Sequence, residues 1–349
     1  MEKLLLNAAL GKQGKKVPVW FLRQAGRYLP EYRELREKAG SFLNLCQNPK
    51  LAAEITMQPL RRFDLDAAII FSDILIPCLA LGQTLTFDKG HGPVLTEPVR
   101  SAADVKKLRE PQIERDVGYV GQALTLTKGL LAPHQTLIGF AGAPLTVASY
   151  MIEGSSSKDY SWVRRFRYNE PEAFGDFLMM LAGVTVQYLE MQVRAGAECL
   201  MLFDSWASQF GADDYREFEV PAMKHIVTTI KQRCKVPVIY YPGGGSDLYN
   251  EIGPLNDVDV VAVDWRVPMD RAINILKSVG VNKTVQGNLD PQALVAPEAF
   301  VRKRTRQILE QGCAAKGHIF NVGHGLVPSV PYEALQWAIS EVRKFERKS

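Results

Sequence analysis

Thiols are few and scattered in this chain. The five cysteines, Cys46, Cys78, Cys199, Cys234 and Cys313, are odd in number and contain no CxxC pair, which argues against a disulfide framework and a zinc knuckle and fits a reducing compartment. Metal motifs are missing as well. There is no HExxH, no HxC and no clustered acid and histidine pattern, so neither a protein-bound metal nor a metal cofactor is expected. No apolar run is long enough to cross a bilayer. The opening MEKLLLNAAL lacks a small-residue cleavage site and runs into GKQGKK, and so reads as a helix rather than a leader. Charge of one sign is scarce: a net +4 over 349 residues is too little for the basic stripe of a nucleic-acid binder, although it leaves room for a local pocket for a small anion. We find neither an internal repeat nor a linker.

What is present is a rhythm. Eight β-type runs alternate with helical patterns: VPVWFL (17–22), AAIIFS (67–72), TLIGFA (136–141), CLMLFD (199–204), VPVIYY (236–241), VDVVAVDW (258–265), TVQGN (284–288) and HIFNVG (318–323). Most are nearly continuous in apolar residues, as strands buried on both faces are. Eight such units predict an α/β fold, a single closed (β/α)8 barrel of the TIM type spanning residues 1–349. Asn48-Pro49 and Asp290-Pro291 have the form of a helix cap followed by a first-turn proline, and Gly196 should stop a long helix over 170–195. GQTLTFDKGHGPVLTEPV (82–99) predicts a β-hairpin inserted after the second strand. EGSSSKDYSW (153–162) is small and polar enough for a mobile loop over a pocket.

In such a barrel the active site is built at the C-terminal strand ends, and here those ends are polar: Arg23 and Arg27, Asp73, Asp204 and Ser205, Asp264 and Arg266, Asn288 and Asp290, Asn321 and His324. Arg23 and Arg27 offer two planar forks that fit carboxylates or phosphates, which points to a polyanionic ligand, or else they bridge to acidic neighbours. Gly26 between them permits close backbone approach. Asp73 either caps the next helix or lines a hydrophobic pocket, since ILIPCLALG follows it. His324 lies between Gly323 and Gly325, where positive φ would present the imidazole to a cavity. His91, His134, His225 and His318 lack partners at metal spacing. In GFAGAPLTVASYMIEG (139–154), Tyr150 either serves packing or points its hydroxyl into the mouth. YYPGGGSD (240–247) could cradle an anion on backbone N–H groups.

Taken together these residues are familiar. PVWFLRQAGRYLPEY (18–32) resembles the N-terminal signature of the uroporphyrinogen decarboxylase family, and GFAGAPLTVASYMIEG resembles its second signature. FSDIL, LFDSWA, YYPGGG, QGNLDP and NVGHGL fall where that family has strand-end motifs, so the resemblance covers essentially the whole chain. Leu22 stands where the family usually has Met, and Leu145 where it often has an aromatic. The resemblance implies a (β/α)8 barrel, usually a homodimer, that needs no cofactor and converts the four acetate side chains of uroporphyrinogen III to methyl groups, giving coproporphyrinogen III and carbon dioxide. Matched residue by residue, it implies catalytic roles for Asp73, Arg23, Tyr150 and His324. Substrate contacts would come from Arg23, Gln24, Ala25, Gly26, Arg27, Asp73, Tyr150, Ser205 and His324. No nucleic-acid or membrane partner is implied, and the location is cytoplasmic or an organelle interior such as the plastid stroma. Three other readings stay open: a corrinoid- or thiol-dependent methyltransferase, which would need a thiolate and imidazole zinc site; a non-catalytic tetrapyrrole carrier; and a phosphate-binding barrel enzyme.

Overall fold

The computed structural model describes residues 2–88, 92–244 and 247–347. Seven parallel strands follow one another around a curled sheet in the order β1 (Ala67–Ile69), β4 (Thr136–Gly142), β5 (Cys199–Asp204), β6 (Val238–Pro242), β7 (Val260–Ala262), β8 (Thr284–Leu289) and β9 (Gly317–Val322). Every residue of β4, β6, β7, β8 and β9 is buried, which is why their sequences are apolar on both faces. Helices cross over between them, among them Pro49–Arg62, Pro144–Glu153, Pro171–Arg194, Val220–Arg233, Glu298–Gly312 and Tyr332–Lys344. Asn48 caps the first of these, its side chain accepting from the N–H groups of Lys50 and Leu51. Beyond the 24-residue helix Pro171–Arg194, Gly196 turns the chain at a φ of +112°.

The run expected as a first strand is not a regular strand, yet it closes the barrel. Residues 17–22 lie between β9 and β1: Phe320 N–H donates to Pro18 O (2.8 Å), and Asp66 N–H donates to Val19 O (2.9 Å). The one ladder bridge is Val19 with Phe320. Pro18 has no N–H to give to a ladder, and side chains take the neighbouring donors instead. Val19 N–H donates to Asp66 Oδ2 (2.7 Å) and Leu22 N–H to Asn321 Oδ1 (2.9 Å). Inside the barrel Trp20 Nε1 donates to Gln286 Oε1 on β8 (2.9 Å), spanning β9.

One further local expectation changes. Asp290 does cap, accepting from Gln292 N–H, but the segment it opens is a 3-10 turn, Pro291–Val295. Ala296 precedes a proline and is extended at ψ 166°, so the α-helix restarts only at Glu298. Segment 153–162 is tied at its far end, because Glu153 Oε1 accepts from the N–H groups of Trp162 and Val163. In the predicted insertion β2 (Leu85–Asp88) pairs antiparallel with β3 (Gly92–Leu95); residues 89–91, with His91 among them, lie outside the described residues.

The wall is incomplete at one place. β1 ends at Ile69, leaving the outward edge of β4 without a partner strand from Phe140 onward. Gln192, fully buried on Pro171–Arg194, fills the gap: Phe140 N–H donates to Gln192 Oε1 and Gln192 Nε2 donates to Phe140 O, both at 2.8 Å. Gly139 makes room for it, since a Cβ there would lie 2.6 Å from Gln192 Oε1. Thr56 does the same for the β1 side by accepting from Phe71 N–H. Replacing Gln192 with Leu keeps the volume and orphans both backbone groups of Phe140, so Gln192→Leu should lower the unfolding free energy by roughly 2–4 kcal/mol, read from the shift in urea midpoint; a midpoint unchanged from the parent would refute this role.

Candidate active site

Arg23 emerges directly from the closing stave. Its φ is +59°, the left-handed region that costs a non-glycine residue about 1–2 kcal/mol, and the turn around it is tightly held. Gln24 N–H donates to Phe21 O, Gln24 Oε1 accepts from Phe21 N–H, Gln24 Nε2 donates to Ala67 O and Tyr28 Oη donates to Gln24 O. Gln24 is thus buried and turned inward, with both ends of its amide engaged, and is not brought to the open face. Ala25 and Gly26 are half-buried in the same turn and Arg27 is exposed. The charge of Arg27 acts on Tyr32, whereas that of Arg23 acts on Asp73, Tyr150 and His324. The arginine pair therefore faces two different surroundings.

His324 is exposed at the mouth. The glycines on either side do not adopt the positive φ that the sequence suggests. They are required for contact: a Cβ on Gly325 would lie 2.4 Å from Arg23 Cδ, and one on Gly323 would lie 2.2 Å from Trp265 N. Crowding by the surrounding wall, and then the Arg23 charge, hold the imidazole below its ordinary pKa. It is neutral near pH 7.

Asp73 is half-buried at the end of β1 and its Oδ1 accepts from Leu75 N–H (2.9 Å). It caps locally and lines an apolar wall as well, because Leu75, Ile76, Pro77 and Cys78 are buried behind it. That burial raises its pKa, with the Leu75 N–H and Arg23 opposing the rise. Tyr150, on Pro144–Glu153, is half-buried, and burial raises its pKa, so it remains a phenol and a donor. Ser205 is half-buried beside Gly243, where a Cβ would lie 2.6 Å from Ser205 O.

Aromatic side chains cluster at these strand ends. Phe140, Phe203 and Tyr241, at the ends of β4, β5 and β6, pack edge to face at 5.5 and 6.2 Å. Trp206 packs on Tyr150 at 5.9 Å and on Tyr160 at 5.6 Å. Other strand-end groups serve the frame. Asp204 is fully buried, accepting from Thr146 and Tyr240 hydroxyls, and burial lifts its pKa to about 6. Asn321 and Asn288 are buried and hold backbone. In the glycine run, Gly244 N–H is already bonded to Asp264 Oδ2, while Gly245 and Ser246 lie outside the described residues. Among the described residues no group of three or more His, Cys, Asp or Glu is placed to hold a metal.

Comparison with known proteins gives a consistent family. The family model described as "Uroporphyrinogen decarboxylase (URO-D)" matches residues 1–345. Relatives named uroporphyrinogen decarboxylase include one from Roseiflexus sp. (strain RS-1), 44% identical over 91% of each chain, and one from Carboxydothermus hydrogenoformans, 40% identical over 100% of this chain and 98% of its own. Among solved structures, a methyltransferase from Methanosarcina mazei superposes with a TM-score of 0.82 at 17% identity, covering 99% of both chains, a likeness of fold alone.

The electrostatics of the mouth can be tested without any ligand. Replacing Arg23 by Gln removes a cation beside His324, so the imidazole titration midpoint, followed by its ring-proton resonance, should rise toward 6.5; a midpoint that stays put would mean the two charges do not meet.

Proposed function

The chain belongs to the uroporphyrinogen decarboxylase family, and from that membership we propose how its own side chains perform the reaction. The protein is a carboxy-lyase of tetrapyrrole biosynthesis, removing carbon dioxide from the acetate side chains of uroporphyrinogen. An acetate on a pyrrole releases carbon dioxide only when the ring can accept the electron pair of the breaking C–C bond. Protonation of a ring carbon makes that acceptor, an iminium-like cation. Carbon dioxide then departs, a second proton converts the resulting methylene to methyl, and the ring carbon returns its own proton. One proton is consumed for each carbon dioxide released.

The positive charge that develops in the ring needs a fixed negative group nearby. Asp73 is proposed for it, accepting hydrogen bonds from pyrrole N–H groups, an oxyanion-hole arrangement with its sign reversed. The observation that carries this reading is the position of Asp73: a carboxylate in an apolar wall whose one nearby cation, among the charges acting on it, is Arg23. Arg23 is proposed to hold the reacting carboxylate, with Arg27, Ser205 and the Ala25 and Gly26 backbone around the substrate and Gln24 bracing the turn from within. Tyr150, kept as a phenol, is suited to donate a proton, and neutral His324 is suited to take up the proton that the ring carbon returns near pH 7. The cluster of Phe140, Phe203 and Tyr241 at the strand ends is proposed as an apolar seat for the pyrroles. No helix among the described residues is long and apolar enough to cross a membrane. We further propose that the whole chain, 1–349, is one barrel domain, supported by a hydrophobic cluster running from Leu5 to Phe345, and that it works as a cytoplasmic homodimer on a small-molecule substrate, as the family resemblance suggests.

Anaerobic incubation with uroporphyrinogen III should give seven-, six-, five- and four-carboxylate products in succession, separated after oxidation. Asp73→Asn should bind the porphyrinogen and lose at least a hundredfold in kcat. Because burial raises the Asp73 pKa, the acid limb of the wild-type rate profile should lie above the 3.8 of an ordinary aspartate, with activity falling as the carboxylate protonates. Full activity in Asp73→Asn would discard this mechanism and leave the enzyme.

A further inference from the structure

The charges of two arginines, Arg23 and Arg266, act on His324, and of these only Arg23 is assigned to the reacting carboxylate. The contact of Gly323 with Trp265 brings the end of β7 against the end of β9, with Trp265 N–H donating to Gly323 O (3.3 Å). Arg266 consequently lies close enough for its charge to act on His324. It is held in place from several sides. Arg266 Nη1 donates to Asp264 Oδ1 and Oδ2 at 3.2 and 3.0 Å, its backbone N–H donates to Oδ1 at 2.9 Å, and its guanidinium carbon lies 4.9 Å from the Trp265 ring centroid. Asp264 is itself fully buried and accepts from the Tyr241 hydroxyl (3.0 Å) and Gly244 N–H (3.1 Å). A carboxylate gripped from so many directions fixes the arginine it holds, yet 52% of the Arg266 side chain stays exposed. The outcome is a pre-set cation facing solvent, which loses little freedom when an anion arrives.

Its position indicates which anion. A Cβ on Gly325 would lie 2.4 Å from Arg23 Cδ and one on Gly244 would lie 3.7 Å from Arg266 Nη1, so the two cations stand at different strand ends, Arg23 beside the segment after β9 and Arg266 beside the segment after β6. The charge of Arg23 acts on Asp73 and Tyr150 and that of Arg266 on Tyr241. A site that serves four successive decarboxylations must recognise groups present in all four. The acetates do not qualify, because they disappear; the four carboxylates that stay do.

We propose that Arg266 forms a subsite for a carboxylate that is not removed, carried on a pyrrole beside the one seated at Asp73. The subsite rests on the decarboxylase reading and names the part of the substrate that this rim recognises. Arg266 is a binding residue, and its interaction is made equally in the ground and transition states, so its loss appears in KM and not in kcat.

The test is steady-state kinetics of the full chain, wild type beside Arg266→Gln and Arg266→Lys, with the eight-carboxylate and the five-carboxylate porphyrinogens under anaerobic conditions. Arg266→Gln should raise KM about tenfold for both substrates with kcat within about twofold, and Arg266→Lys should recover part of the loss, keeping the charge without the fork. An unchanged KM would overturn the proposal. So would a rise for the eight-carboxylate substrate alone, which would assign the contact to a leaving acetate, or a fall in kcat equal to that in kcat/KM, which is what a structural role through Asp264 would give. Should Arg266→Gln fail to fold, Arg266→Lys decides: a several-fold rise in KM for both substrates supports the subsite and no rise refutes it. Failure of the wild type itself to turn over would remove the decarboxylase reading instead, and the same assay separates the two.

Discussion

Two side chains grip the same short stave, and the mouth of the barrel is positioned by that grip. Asp66 takes the N–H of Val19 at one end and Asn321 takes the N–H of Leu22 at the other. Both are nearly or fully buried, where a lost hydrogen bond costs more than it would at the surface. Asp66 is anchored in turn by Arg343 Nη1 at 2.9 Å, so the stave is tied to the C-terminal helix as well as to the sheet. Because the stave ends at a fixed point, the tight turn that follows can hold Arg23 in a left-handed conformation. A looser connection would let Arg23 relax and carry its charge away from Asp73.

The barrel removes several carboxylates from water and treats each differently. Asp66 and Asp264 have arginine partners, which is the ordinary remedy for a buried charge. Asp204 and Glu219 have hydroxyls and a backbone N–H as donors in place of a cation, and burial drives both upward, with the Asp204 charge pushing Glu219 further. Asp73 is intermediate. Burial raises it, one N–H and one cation hold it down, and its outward side faces the mouth. That intermediate state lets a carboxylate respond to a cation formed in a substrate: it is neither neutralised by an internal partner nor bathed in bulk solvent.

The strand rhythm was legible because strands buried on both faces have no choice but to be apolar, and seven of the eight runs are regular strands of one sheet. The eighth was misread in kind, since VPVWFL carries strand composition while Pro18 removes a ladder donor; the side chains that replace it sit 47 and 299 residues away, beyond any local pattern. Arg23, Asp73 and His324 were legible as polar groups after apolar runs and Tyr150 as a helical residue with a hydroxyl to offer, and the charge of Arg23 acts on the other three. The glycines around His324 were noticed for the wrong reason: a sequence shows that a side chain is missing but not whether space or dihedral freedom requires it. The clustering of Phe140, Phe203 and Tyr241 left no signal, because an aromatic that packs on rings of neighbouring strands and one that packs on a helix look alike within an apolar run.

The likeness to a methyltransferase at a TM-score of 0.82 and 17% identity means that this barrel does not by itself choose a chemistry. The choice is made by what stands at the strand ends. Thiolate chemistry would need cysteines able to ionise, and here burial pushes the thiols of Cys46, Cys78 and Cys199 far up. The charge of Asp73 pushes Cys46 and Cys78 further the same way. A carboxylate suited to a developing cation is a poor neighbour for a thiolate, since it destabilises any second anion placed beside it. The residue that equips the mouth for electron-deficient pyrrole chemistry thereby keeps the nearby sulfur chemistry silent.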